Sequence, residues 1–270
     1  MITKKTKINA IKYFGGKGLF KSHSKKNYPL ISIIMPNYKS KSLKKAIMSV
    51  LNQSYKNIEL IVIDGDSGKS ATNILKKLNN KIHFWVSEKD RGMWDAWNKG
   101  FKLSTGDYVG VVDSSNILYK NAIKTLSKYI KRHPNIDFFC GTIKKEGKII
   151  GGYNPKEIYK KLNIIPSSVV GFYIKKKSLK KVGYLNLKYK IQADYDLLYR
   201  MIVKKKFKGM HTSGREVFGD LGNSGFSKKH NFYKKLFNEL QIRIDNNQNF
   251  FILIYILMGR TLMHFFKKYK

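Results

Sequence analysis

From residue 29 onward, short β-branched apolar runs alternate with stretches of helical periodicity, and this alternation restricts the fold more than any other feature. Ile31-Ser32-Ile33-Ile34-Met35 reads as a buried strand that stops at Pro36-Asn37-Tyr38. Leu43, Ala46, Ile47, Val50 and Leu51 then recur at helical spacing. Ile58 to Ile63 reads as a second buried strand, ended by Asp64-Gly65. Ile74, Leu75 and Leu78 mark a second helix, and Ile82 to Val86 a third strand. Residues 93–103 read as a helix, Tyr108 to Val112 as a fourth strand ended by Asp113, and 121–130 again as a helix. Such alternation predicts a mostly parallel sheet wrapped by helices. The strands end in Asn37, Asp64, Glu88 and Asp113. Ligands of open α/β sheets bind at the carboxyl ends of the strands, so the pattern gathers these four beside one crevice.

The second half follows a different rhythm. Asp137 to Tyr153 reads as a hairpin turning at Glu146-Gly147, and Val169 to Ile174 as a strand. Asp194-Tyr195-Asp196 opens a helix with acids in its first turn, which suits the helix dipole, and Asp196 is spaced to pair with Arg200. Glu216 to Leu221 reads as a last strand. Near the C-terminus stands Phe250-Phe-Ile-Leu-Ile-Tyr-Ile-Leu-Met-Gly259, too short an apolar run to span a bilayer. Flanked by Lys, Arg and aromatics, it can form an interfacial helix or pack on the domain.

Charge sets the partner classes. With 54 Lys+Arg against 17 Asp+Glu, the net charge is +37, which projects a positive field over much of the surface. No RNA-binding signature or zinc-finger spacing accompanies it, so an anionic membrane surface or an anionic ligand is expected rather than nucleic acid. The single Cys140 excludes an intrachain disulfide framework and a Cys-cluster zinc site. His211 and His230 lack metal-ligand spacing and read as surface residues. Residues 1–28 are basic, lack a long apolar core and read as an arm. The expected location is cytoplasmic, peripheral on the cytosolic face of a membrane.

The most specific stretch is Ser87-Glu-Lys-Asp-Arg-Gly-Met-Trp-Asp-Ala-Trp-Asn-Lys-Gly100, followed by Ser104-Thr-Gly-Asp107. It resembles the S-E-x-D-x-G-x-x-D-A-x-N-K-G and S-T-G-D region of inverting glycosyltransferase family 2, which has the GT-A fold. Pro29 to Tyr38, Ser49 to Tyr55 and Glu59 to Ser67 are similar to that family's earlier segments. The resemblance covers 29–230 as a GT-A domain, which leaves the basic arm over 1–28 and a helical tail over 231–270 that can associate with a membrane or pack on the domain. By the same resemblance, Pro36, Asn37, Tyr38 and Asp64 hold the nucleotide base, with Asp64 accepting an N–H from a uracil edge. Asp90, Asp95, Asn98, Lys99 and Asp113 line the nucleotide-sugar side.

Asp194 of Asp194-Tyr-Asp-Leu matches the family's catalytic base. An inverting transfer is one in-line displacement and needs one carboxylate at the acceptor hydroxyl. The family's acidic metal motif, D/N-x-D-D, reads Asp113-Ser114-Ser115-Asn116 here. Asp113 and Asn116 are therefore the expected ligands of Mg2+ or Mn2+, with neutral oxygens replacing two acids. Where relatives read P-H-Q, this chain has Pro166-Ser167-Ser168, and Gly222 to Ser227 resembles a late donor-phosphate loop. The implied partners are a nucleotide-diphosphate sugar, most simply a UDP-sugar, and a glycan or lipid-linked acceptor. The alternative is a GT-A protein that binds a nucleotide sugar or glycan with impaired catalysis.

Overall fold

The computed structural model describes residues 13–18, 28–222 and 230–268. In chain order the first half gives β1 (Tyr13–Gly15), β2 (Ile31–Asn37), α1 (Leu43–Leu51), β3 (Ile58–Asp64), α2 (Lys69–Lys77), β4 (Phe84–Ser87), α3 (Met93–Leu103), β5 (Tyr108–Val111), β6 (Ile117–Leu118) and α4 (Ala122–Arg132). The second half adds β7 (Phe138–Cys140), β8 (Thr142–Lys145), β9 (Lys148–Ile150), β10 (Phe172–Lys175), α5 (Lys176–Val182), α6 (Ala193–Tyr199), β11 (Gly209–His211), β12 (Val217–Leu221), α7 (Phe232–Asp245) and α8 (Phe250–Lys268).

Among the described residues the main sheet runs β1-β4-β3-β2-β5-β10-β7-β11. Strands β2 to β5 are mutually parallel, as the alternation predicts. Residues of β2 and β3 are buried at every position, which is the mark of central strands covered on both faces. Pro36 is tolerated in β2 because pairing with β5 has already ended at Ile34↔Val111, so no ladder partner is left wanting its N–H. Helix α3 sits close on this sheet. A Cβ at Gly100 would come within 2.3 Å of Ile34, so glycine is what lets the helix approach.

Three expectations shift. Tyr13–Gly15, inside the stretch read as an arm, pairs antiparallel with β4 as an edge strand. The hairpin turns at Glu146-Gly147 as read, both with positive φ, but its first arm divides. Phe138–Cys140 joins the main sheet and Thr142–Lys145 enters a second sheet, β6-β12-β8-β9. Strand β10 begins at Phe172 rather than Val169, because Val170 takes φ 64° and interrupts extended pairing.

The C-terminal helices brace α6. Arg243 is fully buried, pairs with Glu239 at 2.7 Å and lies over the Tyr195 ring at 5.1 Å. Asn246 donates to Asp196 at 3.0 Å, while Asp196 pairs with Arg200 at 2.9 Å as the spacing predicts. A buried charge network is costly to break, because losing one partner strands the other without solvent.

Candidate active site

Register builds the crevice. Asn37 stands opposite Asp64, and Asp64 opposite Ser87, so three strand ends lie in a row. Asp64 is fully buried. Its Oδ1 accepts from Asn37 at 2.5 Å, and its Oδ2 accepts from Ser87 Oγ at 2.6 Å and from Ser67 N at 3.1 Å. These bonds order Asn37, Ser67 and Ser87 around the Asp64 carboxylate and leave Oδ1 with a single donor. Tyr38 is 66 % exposed, and Asp90 lies across Gly65 from it. A Cβ at Gly65 would meet Asp90 Oδ2 at 2.7 Å and the Tyr38 ring at 3.3 Å. Asp90 Oδ1 accepts from Gly92 N at 2.9 Å, and burial raises its pKa above the ordinary value.

The N-terminus of α3 carries a charge relay. Arg91 pairs with Asp95 at 3.0 Å, and Lys99 reaches Glu88 at 2.6 Å and Asp95 at 3.8 Å. Burial works against the Asp95 charge, but hydrogen bonds from the Arg91 side chain and backbone outweigh it and hold the carboxyl low. Asn98 points elsewhere. It donates to Leu185 O at 2.9 Å and accepts from Leu185 N at 3.0 Å. The expected place of Asn98 on the donor side is thus replaced by a two-point clasp on the loop before α6.

Asp113 follows β5, beside Ser114 N→Pro36 O at 3.2 Å. Its Oδ1 is buried without a hydrogen-bond partner. Burial, helped by the charge of Asp194, pushes its pKa up to about 7. The charge of Asp194 thus acts on Asp113, although the two lie 81 positions apart by their numbering. Asp194, in the first turn of α6, accepts from Ser168 Oγ at 2.7 Å and from Tyr195 N at 3.0 Å. Behind it a small apolar cavity is walled by Trp97, Ile165, Leu197 and Leu198. Burial raises its pKa, and the bonds from Ser168 and Tyr195 limit the rise.

The donor set for a divalent cation is uneven. Asn116 is buried, and its Oδ1 accepts from Gly222 N at 3.0 Å. The free Oδ1 of Asp113 fits a cation that takes one or two carboxylates and fills its shell with phosphates and water. Among the described residues there is no cluster of three or more His, Cys, Asp or Glu that could hold a metal. The late donor loop, beyond Gly222, lies outside the described residues.

A sequence profile described as "Glycosyl transferase family 2" matches residues 32–201, most of the chain. The chain belongs to glycosyltransferase family 2. Relatives of this family agree. Poly(ribitol-phosphate) beta-N-acetylglucosaminyltransferase TarP of Staphylococcus aureus is 34% identical over 147 residues, covering 52% of this chain and 44% of TarP. An uncharacterized glycosyltransferase of Methanocaldococcus jannaschii is 31% identical over 193 residues, covering 64% and 65%. The chain thus spans about half to two thirds of the length of these relatives. In fold, the chain is similar to S. aureus TarS in complex with UDP-GlcNAc, with TM-score 0.63, 16% identity, and 84% and 71% of the two chains covered. A mannosyltransferase of Pyrobaculum calidifontis in complex with GDP-Man and Mn2+ superposes with TM-score 0.59 and 14% identity over 88% and 70%. The mixed sheet flanked by helices is the GT-A fold expected of the family.

Two contacts of the site escaped sequence reasoning. Ser168 stands where the family pattern has another residue, so its bond to Asp194 had no motif to announce it. Glu88 was placed at the crevice by its strand end, but its ion pair with Lys99 needed the helix to be docked. His211, read as a surface residue, is partly buried, and its Nε2 accepts from Gly152 N at 2.6 Å.

Proposed function

We propose that the chain transfers a sugar from a nucleotide-diphosphate donor, a UDP-sugar, to a hydroxyl of a glycan or lipid-linked acceptor, inverting the anomeric carbon. The observation that carries this reading is Asp194, one desolvated carboxylate held by Ser168, whose charge acts on Asp113 just beyond β5. Such a pair suits one displacement. The acceptor O–H gives its proton to Asp194, the acceptor oxygen bonds to the anomeric carbon, and the bond to the diphosphate oxygen breaks. The raised pKa of Asp194 brings the base nearer to working pH, where general-base catalysis is most efficient. The names of the relatives support the donor class: TarP is an N-acetylglucosaminyltransferase, and TarS was captured with UDP-GlcNAc.

Asp113 would hold a Mg2+ or Mn2+ through its unpartnered Oδ1, whereas Asn116 already spends its oxygen on Gly222. When bound, the cation supplies Lewis-acid stabilisation of the departing diphosphate. Tyr38, exposed beside Asp90, is positioned to stack on the base, with Asp90 as the nearby acceptor. Lys99 is already paired, so it steadies Asp95 and Glu88 rather than acting as a free phosphate cation. The test is Asp194→Asn. It should lower transfer from UDP-sugars by about 100-fold or more while UDP binding persists. Wild-type protein that binds UDP yet turns over no donor, with or without Mn2+, would establish the non-catalytic binding protein instead.

A further inference from the structure

Helix α8 has two unlike faces. On one, Ile256 is buried, Arg260 pairs with Glu239 of α7 at 3.2 Å, and His264 stacks on Phe232 at 3.9 Å. These positions recur every four residues and dock the helix. On the other, Phe251, Tyr255, Met258, Leu262 and Phe265 follow one another at alternating spacings of four and three, which makes one continuous stripe. All five are between 54% and 78% exposed. A water-facing helix surface normally carries polar residues, and a contiguous apolar stripe marks an interaction surface. Helix α7 adds exposed Tyr233 and Phe237 one turn apart.

Charge decides what covers the stripe. Residues 250–268 contain Arg260, Lys267 and Lys268 and no acid, in a chain of net charge +37. A second copy would bring the same positive field against itself, whereas an anionic lipid surface complements it. Among the described residues no helix is long and apolar enough to cross a membrane. We propose that α8 lies flat on an anionic lipid surface, with the Phe251–Phe265 stripe inserted among the acyl chains and the chain's net positive field drawing it to the headgroups. The proposal does not depend on the transfer reaction. Its consequence for that reaction is geometric: Arg260, Glu239 and Arg243 link the docked helix to Tyr195, next to the proposed base.

The test uses the full chain and co-sedimentation with vesicles of phosphatidylcholine, with and without about 30% phosphatidylglycerol. Binding is expected on the anionic vesicles, weakened by salt, and little on the neutral ones. The triple variant Phe251→Ser, Met258→Ser, Leu262→Ser should bind about tenfold or more weakly while keeping its circular dichroism and its UDP binding. The single variant Phe251→Ser, at the most exposed position of the stripe, should lose several-fold on its own. Equal binding to both vesicle types, no binding to either, or variants that bind like wild type would overturn the proposal. So would a lipid-free dimer of the wild type that the triple variant dissociates. Because UDP binding is measured separately, loss of the membrane surface and loss of the donor site are distinguishable.

Discussion

Asp113 should make the protein less stable as pH rises. Its carboxyl titrates at 3.8 when unperturbed and at about 7 in the fold, where burial and the charge of Asp194 oppose ionisation. A raised carboxyl pKa favours the folded state fully below the unfolded value, and that advantage is lost as pH climbs through the folded value. The shift from 3.8 to about 7 corresponds to about 4 kcal/mol between the protonated and ionised forms. About 2–3 kcal/mol of it falls between roughly pH 5 and pH 8. Asp113→Asn keeps the shape and removes the titration. Urea unfolding of both proteins across that range should show the variant gaining on wild type by about 2–3 kcal/mol, with thermal midpoints diverging by about 5 °C or more. Transfer activity should fall in the same variant, because the carboxylate proposed to face the diphosphate is gone. A stability gap that stays constant with pH, or a variant less stable than wild type near pH 8, would refute a desolvated Asp113.

Removing the hydroxyl at Ser168 by Ser168→Ala takes one hydrogen bond from the ionised form of Asp194, so the acid limb of the pH–rate profile should move up by about one unit. Activity should recover at higher pH, and a loss that is uniform with pH would count against Asp194 as the base. Asn98→Ala leaves both backbone groups of Leu185 unpaired, so the fold should lose about 2–4 kcal/mol in urea unfolding while KM for the donor changes little. A large rise in donor KM with unchanged stability would return Asn98 to the sugar side.

The first half of this fold was legible because its information is local. An apolar run and a helical stripe announce themselves in the residues that form them, and β2, β3, α3 and β5 fall close to where the pattern puts them. Strand ends such as Asn37, Asp64 and Asp113 follow, since parallel pairing aligns their carboxyl termini. The division of residues 138–145 between two sheets was hidden, because pairing partners such as Phe172 and Val217 come from distant parts of the chain. The same limit applies to chemistry. The sequence determined that Asp64, Asp90, Asn98, Asp113 and Asp194 lie in family-like motifs. The tertiary structure alone decided that Asp64 is bonded to Asn37, Ser67 and Ser87, that Asn98 clasps Leu185, and that the charge of Asp194 acts on Asp113. Desolvation and charge coupling depend on what surrounds a group in three dimensions, and no run of neighbouring residues encodes that.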